Sequence, residues 1–249
     1  MHTHLSIVIP VYNEGPNILA ALSELSRCIR APHEVLIVYD FDEDDTIPAV
    51  QKILPEHDHL RLVKNLYGRG VLKAIRTGFE SARHDVILVV MADLSDQLSV
   101  VDGMFAKINE GYDIVCGSRY MSGGRQIGGP VFKKLLSRCA GLSLRCLLQF
   151  PVHDLTNSFK MYTRKVIRDM QIESTGGVEI GMEILIKAHL KGYRIAETPS
   201  VWKDREAGKS NFKLLKWIPK YAYWYFYAVR NILPARLRCA FKRSQTGTG

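Results

Sequence analysis

Ser6-Ile7-Val8-Ile9-Pro10-Val11-Tyr12-Asn13-Glu14 decides the fold. A short Ile/Val run ends at a proline, turns polar within two residues, and gives way to a helical stretch from Asn17 to Ile29. The same unit returns down the chain. Val35–Val38, Leu60–Val63, Val86–Val90 and Ile114–Val115 are apolar runs of strand length, and the helical stretches Asp45–Leu54, Gly70–Ala82 and Val100–Asn109 lie between or after them. Runs without alternation belong to strands buried on both faces, as parallel strands are. Strands alternating with helices predict right-handed crossovers and a mostly parallel α/β sheet flanked by helices. Ligands of such sheets bind beyond the carboxyl ends of the strands. Polar residues gather there: Tyr12-Asn13-Glu14 after the first run, Asp40-Phe41-Asp42 after the second, Asp93 after the fourth, and Ser118-Arg119 after the fifth.

The composition agrees. In 249 residues, 47% are hydrophobic and 24% charged, enough apolar material for one large domain or two small ones and too much for a disordered chain. Five scattered cysteines without a C-x-x-C pair suggest neither a disulfide framework nor a zinc site, and fit a reducing cytosol. The first apolar run is too short for a cleavable signal, so the protein is expected to stay on the cytosolic side. The net charge of +9 is concentrated: residues 200–249 hold eleven basic residues against Asp204 and Glu206, and the rest sums to zero. An anionic partner for the C-terminal part is implied. No helix-turn-helix or zinc-finger pattern is present, so nucleic acid is not the expected partner and an acidic membrane surface is.

After residue 120 the alternation weakens. Gly123-Gly124 and Gly128-Gly129-Pro130 mark a connection, and Val131–Phe150 reads as an amphipathic helix carrying Lys133, Lys134, Arg138 and Arg145 among leucines. It could lie on a membrane or pack on the sheet with its charges solvated. Trp217–Val229 holds seven aromatics between basic flanks; this is short of a spanning helix but suits the headgroup region. The alternative is an aromatic helix buried against the body. The expected division is a catalytic domain over 1–210 and a basic, aromatic membrane-interface extension over 211–249.

There is no Walker-type phosphate loop and no G-x-G-x-x-G turn, so carboxylates at the strand ends need a divalent cation, Mg2+ or Mn2+, to meet a phosphate. Asp93 is the leading ligand with Asp96 as helper; the alternative for Asp93 is a helix N-cap. Six segments, in order, resemble family-2 inverting glycosyltransferases of GT-A fold, and among them the polyprenol-phosphate mannosyltransferases: Pro10-Val11-Tyr12-Asn13-Glu14 with Asn17, Asp40–Thr46, Gly68-Arg69-Gly70 with Ala74 and Gly78, Gly117-Ser118-Arg119-Tyr120, Asp154–Phe159, and Arg205-Glu206-Ala207-Gly208-Lys209-Ser210. The resemblance implies transfer of a sugar, from GDP-mannose or UDP-glucose, to a polyprenyl phosphate with inversion. It further implies that Pro10, Tyr12, Glu14, Val38, Asp40, Ala92, Asp93 and Lys209 bind the donor, that Ser118, Arg119, Arg125 and Arg205 bind the acceptor, and that Asp93, Arg119 and Arg205 are catalytic. For Arg119 and Arg205 the alternative is an ordinary ion pair.

The chain departs from the family pattern at the metal motif, usually D-x-D-x-Q, where Met91 and Ser95 replace the first Asp and the Gln. Tyr39, Ser158 and Asn211 depart at other motifs. A lipid phosphate, mostly dianionic at neutral pH, needs no strong base. A hydroxyl acceptor would need one, and Glu179 or Glu183 would then be the candidate. A nucleotide-sugar-binding protein without turnover is the third reading, motivated by Met91 and Ser95.

Overall fold

The computed structural model describes residues 1–204 and 214–246, with side chains along the last helix from 217 to 234. Strand β1 (Leu5–Pro10) is buried at all six positions, as its unbroken apolar run requires. It pairs in parallel with β2 (His33–Tyr39), which pairs with β3 (Leu60–Lys64), and on its other edge with β4 (Val86–Val89). Beyond β5 (Ile114–Ser118) come a short β6 (Arg125–Ile127), then β7 (Lys160–Thr163), β8 (Ile195–Pro199) and β9 (Val201–Lys203). The seven-stranded sheet runs β3-β2-β1-β4-β7-β5-β8, with β7 antiparallel to both neighbours; β6 and β9 form a separate parallel pair. The mostly parallel sheet is as expected. The reversed strand is an addition, because four residues that include a lysine carry no readable strand signal.

Helices α1 (Gly15–Cys28), α2 (Thr46–Gln51), α3 (Val71–Ser81), α4 (Val101–Asn109), α5 (Val131–Leu148), α6 (Arg164–Asp169), α7 (Ile180–Leu190) and α8 (Leu214–Thr246) follow in chain order. Successive strand residues point to opposite faces, so the sheet makes two cores. Ile7, Ile9 and Met161 join Ile18, Leu22, Met104 and Ile108 on the side of α1 and α4. Val8, Ile87 and Tyr162 join Ile75, Leu144, Ile184 and Trp224 on the side of α3, α5, α7 and α8. Each such side chain, fully buried, contributes about 1.5–3 kcal/mol relative to exposure. Helix α3 lies close on β1 because Gly78 has no side chain: a Cβ there would sit 2.2 Å from Val8 Cγ1.

Helix α5 packs on the body along one side. Gly141, Leu144 and Leu148 are buried, whereas Val131, Phe132, Leu135, Leu142 and Leu147 are exposed. On α8, Trp224, Ala228 and Ile232, four residues apart and so on one face, enter the core while Tyr223 and Phe226 face out. The two helices join through the Ser143 and Tyr225 hydroxyls at 3.0 Å. Among the described residues no helix is long and apolar enough to cross a membrane.

Candidate active site

The loop after β1 is stitched to the loop after β2. Asp44 is buried and accepts the Asn13 amide (3.1 Å) and the Thr46 amide (2.9 Å); the Thr46 hydroxyl accepts the Glu14 amide (3.0 Å), and Asp45 accepts that of Gly15 (2.8 Å). Asn13 takes a left-handed conformation, φ 52°, to make this turn. The Glu14 carboxylate accepts from Asn17 Nδ2 at 2.7 Å, which explains the three-residue spacing of that pair. Acidic residues after β2 therefore hold backbone amides, a task the sequence does not reveal because nothing local marks the donors.

Asp40 ties the second loop to the glycine turn. Its Oδ1 accepts from Asn65 Nδ2 (2.7 Å) and its Oδ2 from the Gly70 amide (2.8 Å). Gly70 has φ 130°, open to glycine and rarely to other residues. Above this turn Tyr12, half exposed, meets the edge of Phe41 at 5.5 Å, and the Arg69 guanidinium lies 4.5 Å from the Phe41 ring. Pro10, Val38 and Ala92 are buried, so they shape the floor of this region with backbone rather than side chain.

At the end of β4, Asp93 Oδ1 accepts the Ser95 amide at 3.1 Å, across a left-handed Leu94 (φ 56°). Asp93 does not cap a helix: Val100 holds the N-cap position of α4. Asp96 is buried, and burial followed by the Asp93 charge pushes its carboxyl up to about 7. Asp96 Oδ1, Ser95 Oγ and Ser200 Oγ are buried without hydrogen-bond partners. Three orphaned oxygens on neighbouring segments are unusual in a protein interior and point to something bound. Among the described residues no three His, Cys, Asp or Glu side chains converge as a metal cage. Magnesium needs no such cage: it takes one or two carboxylates, retains waters and uses phosphate oxygens of its substrate. The Asp93 and Asp96 carboxylates, with orphaned oxygen beside them, fit that chemistry.

Arg119 is committed to Asp154. Its Nε and Nη2 donate to the two carboxylate oxygens at 2.6 and 2.8 Å, its amide donates to Oδ2 at 3.1 Å, and Nη2 also reaches Thr156 Oγ1 at 2.9 Å. Burial opposes both charges, yet the pairing wins: Asp154 is held below the ordinary carboxylate range and Arg119 above its own. Arg119 is thus a buried ion pair, neither a surface one nor a free phosphate clamp, and the Asp154–Phe159 segment is what holds it. The signal was present in two motifs, but a contact across 35 residues is invisible in sequence. Ser118 is fully buried and its Oγ accepts the Met121 amide, so its side chain shapes the turn. Arg125 is exposed on β6.

Lys203, the last residue of β9, donates its amide to Ser95 O at 2.9 Å, and Asp96 bridges to Trp202. The chain therefore leaves β9 beside the Asp93–Asp96 loop. Arg205 and Lys209, expected in the site, lie outside the described residues, as does Asn211. Glu179 and Glu183 are both spent on local structure. Glu179 accepts the amides of Gly176 and Gly177 (2.7 and 2.6 Å); Glu183 accepts those of Glu173 and Ser174 (2.6 and 2.8 Å) and the Lys187 ammonium (2.7 Å).

A mostly parallel sheet with carboxylates and paired arginine at its carboxyl edge, and no phosphate loop, defines a GT-A-like transferase core. A family profile, Glycosyl transferase family 2, matches residues 6–171, and the chain belongs to that family. A dolichol-phosphate mannosyltransferase of Pyrococcus furiosus is 29% identical over 84% of this chain, which spans 59% of that relative's length. A polyprenol monophosphomannose synthase of Mycolicibacterium smegmatis is 25% identical over 85% of both chains. Among solved structures, glucosyl-3-phosphoglycerate synthase of Mycobacterium tuberculosis, in complex with Mn2+, UDP and glucosyl-3-phosphoglycerate, superposes with TM-score 0.66 at 14% identity, covering 92% of this chain and 80% of its own. The same synthase has been solved with Mg2+ and UDP, at TM-score 0.62 and 16% identity, over 92% of this chain and 79% of its own.

Proposed function

We propose that this family-2 glycosyltransferase moves a hexose, mannose or glucose, from a nucleotide-sugar (GDP-mannose or UDP-glucose) to a polyprenyl phosphate at a cytosolic membrane surface. The observation that carries the reading is the exposed apolar side of α5, with Arg138 also exposed, which is tied to the site: the Tyr120 hydroxyl, beside Arg119, meets Ser137 of α5 and Gln126. A lipid acceptor needs such a landing. The commitment of Glu179 and Glu183 to backbone amides supports it further, because a hydroxyl acceptor would need a free base and a phosphate does not. The named relatives, both mannosyl transferases to polyprenol-type lipids, point the same way.

In this mechanism the Tyr12–Phe41–Arg69 group and Asp40 seat the nucleoside, and Asp93 with Asp96 would hold Mg2+ or Mn2+, which would supply positive charge for a diphosphate. A phosphate oxygen of the acceptor attacks the anomeric carbon in line; the carbon–oxygen bond to the diphosphate breaks and the configuration inverts. Asp154 fixes the direction of Arg119, while Arg205, Lys209 and Arg125 supply further positive charge to the phosphates. Catalysis comes from positioning and electrostatics. Residues 211–249 are assigned as the membrane-interface extension of a catalytic domain over 1–210, its helix docked on the core through Trp224, Ala228 and Ile232.

The test is a transfer assay: purified protein in detergent, a panel of radiolabelled nucleotide-sugars, a short polyprenyl phosphate, and Mg2+ against EDTA. Metal-dependent label in the lipid phase is expected, and treatment of the product with mild acid should release the sugar. Label in a water-soluble glycan instead, or donor binding with no product from any donor, would overturn the reading.

A further inference from the structure

Strand β7 carries a lysine where the core expects an apolar side chain. Lys160 is fully buried, paired across the sheet with Val89 and Cys116 and on the same face as Tyr162. Among the described residues no carboxylate pairs with its ammonium: Nζ donates to the backbone carbonyls of Leu155, at 3.1 Å, and of Asn157. Its surroundings disfavour a charge. Burial lowers its pKa, and the first turn of α7, the positive end of that helix, lies close by, with Nζ 3.5 Å from where a Gly181 Cβ would stand. A methionine would fill the same space without that cost.

What the lysine holds is the Asp154–Asn157 loop, and that loop holds the site from two sides. Asp154 fixes Arg119 by two side-chain bonds and one from its amide. Asn157 donates to Gly117 O at 3.0 Å, and the Arg119 guanidinium that Asp154 fixes lies near enough to act on the charge of Asp96, the buried carboxylate next to Asp93. The loop's own bonds, from the Asn157 amide (3.2 Å) and the Thr156 hydroxyl (3.3 Å) to Asp154 Oδ1, close the turn but do not attach it to the sheet. Asn157 ties the loop to Gly117 of β5, and Lys160 adds a second tie, from inside the sheet, to the carbonyls of Leu155 and Asn157.

We propose that Lys160 is a positioning residue, whose ammonium anchors the Asp154–Asn157 loop to the sheet and so sets the Arg119 guanidinium and the Asp96 carboxylate relative to each other. This rests on the transfer reading above for its kinetic consequence, but not for its structural one. Because Lys160 reaches no solvent-facing atom of the site, it acts only through the loop.

Lys160→Met in the full chain tests it, with amide exchange at residues 154–158, thermal melting, and steady-state transfer at varied donor and Mg2+. The expected variant melts cooperatively, exchanges the amides of 156–158 about tenfold faster, loses about tenfold in kcat with donor KM little changed, and needs more Mg2+ for half-maximal rate. If Lys160→Met does not fold, Lys160→Gln, which keeps an N–H donor without the charge, is read by the same measures. A folded variant with parental exchange, or with faster exchange and parental kcat in an active protein, overturns the proposal. If the parent protein itself transfers no sugar, the transfer reading fails, and the exchange measurement alone decides whether Lys160 holds the loop.

Discussion

Arg119 and Asp154 show how far a residue's role depends on a partner that sequence cannot supply. A charge this deeply buried is tolerable only when paired, and removing one member leaves the other uncompensated. Asp154→Ala should therefore lower unfolding free energy by roughly 3–5 kcal/mol in urea melts, whereas Arg119→Met with Asp154→Leu should recover most of that stability and none of the activity. Equal stability of the single and double variants would show that the arginine left without its partner carries no penalty of its own. Asp93 is different: it follows the apolar run of β4, and its place at the carboxyl end of that strand, which is legible from sequence alone, is the ground for proposing it as a metal ligand. Asp93→Asn should leave melting nearly unchanged and reduce metal-dependent transfer by about 10²–10³-fold, a loss of several kcal/mol of transition-state stabilisation; full activity in the variant would remove Asp93 from the metal site. Glu34, at the opposite end of the sheet, is held below its ordinary value: burial opposes the charge, but the Arg83 amide, the Ser6 hydroxyl and Arg61 together outweigh it. A depressed folded pKa adds stability above the unfolded pKa and loses it as pH falls through the folded one. Glu34→Gln should thus be less stable at neutral pH and show a shallower loss of stability below about pH 4.5, near the unfolded carboxylate range.

At the scale of elements, the parallel strands and their crossovers were legible because apolar runs of strand length and helical stretches alternate without ambiguity as far as β5. Beyond it the code changes. Strand β7 is four residues with a lysine in it, and its place between β4 and β5 depends on pairing partners more than 40 residues away, so no local pattern announces it. Helix α5 was legible as amphipathic but not as to which side packs, because small residues decide that. Gly141 is the contact: a Cβ there would lie 2.1 Å from the His153 carbonyl oxygen, just before Asp154. Backbone cannot yield as a flexible side chain can. Gly141→Ala should cost about 1–3 kcal/mol in melting experiments and, by shifting the His153–Asp154 backbone, lower transfer more than the lost stability alone predicts at a temperature where both proteins are folded. Gly103, with open space at its Cβ position, is the control: Gly103→Ala should match or slightly exceed the parent, since alanine favours a helix interior.

For the whole molecule, the sheet, both cores and the stitched loops gather the residues proposed to bind the donor at the carboxyl ends of the strands, and the Tyr120–Ser137 link ties that edge to α5, whose Phe132, Leu135 and Leu142 are exposed. In the proposed reaction an acceptor with a charged phosphate and a long apolar tail meets both regions at once, so that docking on lipid and catalysis are coupled by distance. The two forces in docking can be separated. In the proposed docking, attraction of exposed basic residues such as Arg138 to anionic lipid contributes about 1 kcal/mol per residue near the surface and shrinks as the Debye length falls from about 10 Å at 0.1 M salt to about 3 Å at 1 M. Insertion of Phe132, Leu135 and Leu142 does not depend on salt in that way and scales with buried apolar area. Co-sedimentation with phosphatidylglycerol-containing vesicles should therefore weaken steeply with NaCl in the parent. Phe132→Ser with Leu135→Ser should weaken it by about tenfold or more at every salt concentration, leaving the slope unchanged, and should reduce transfer to a vesicle-borne acceptor while sparing transfer to a short acceptor in detergent. Binding to anionic vesicles that is indifferent to both the substitutions and the salt would mean that this face does not meet the membrane, and equal losses on both acceptors would mean that the substitutions disturb the site rather than the docking.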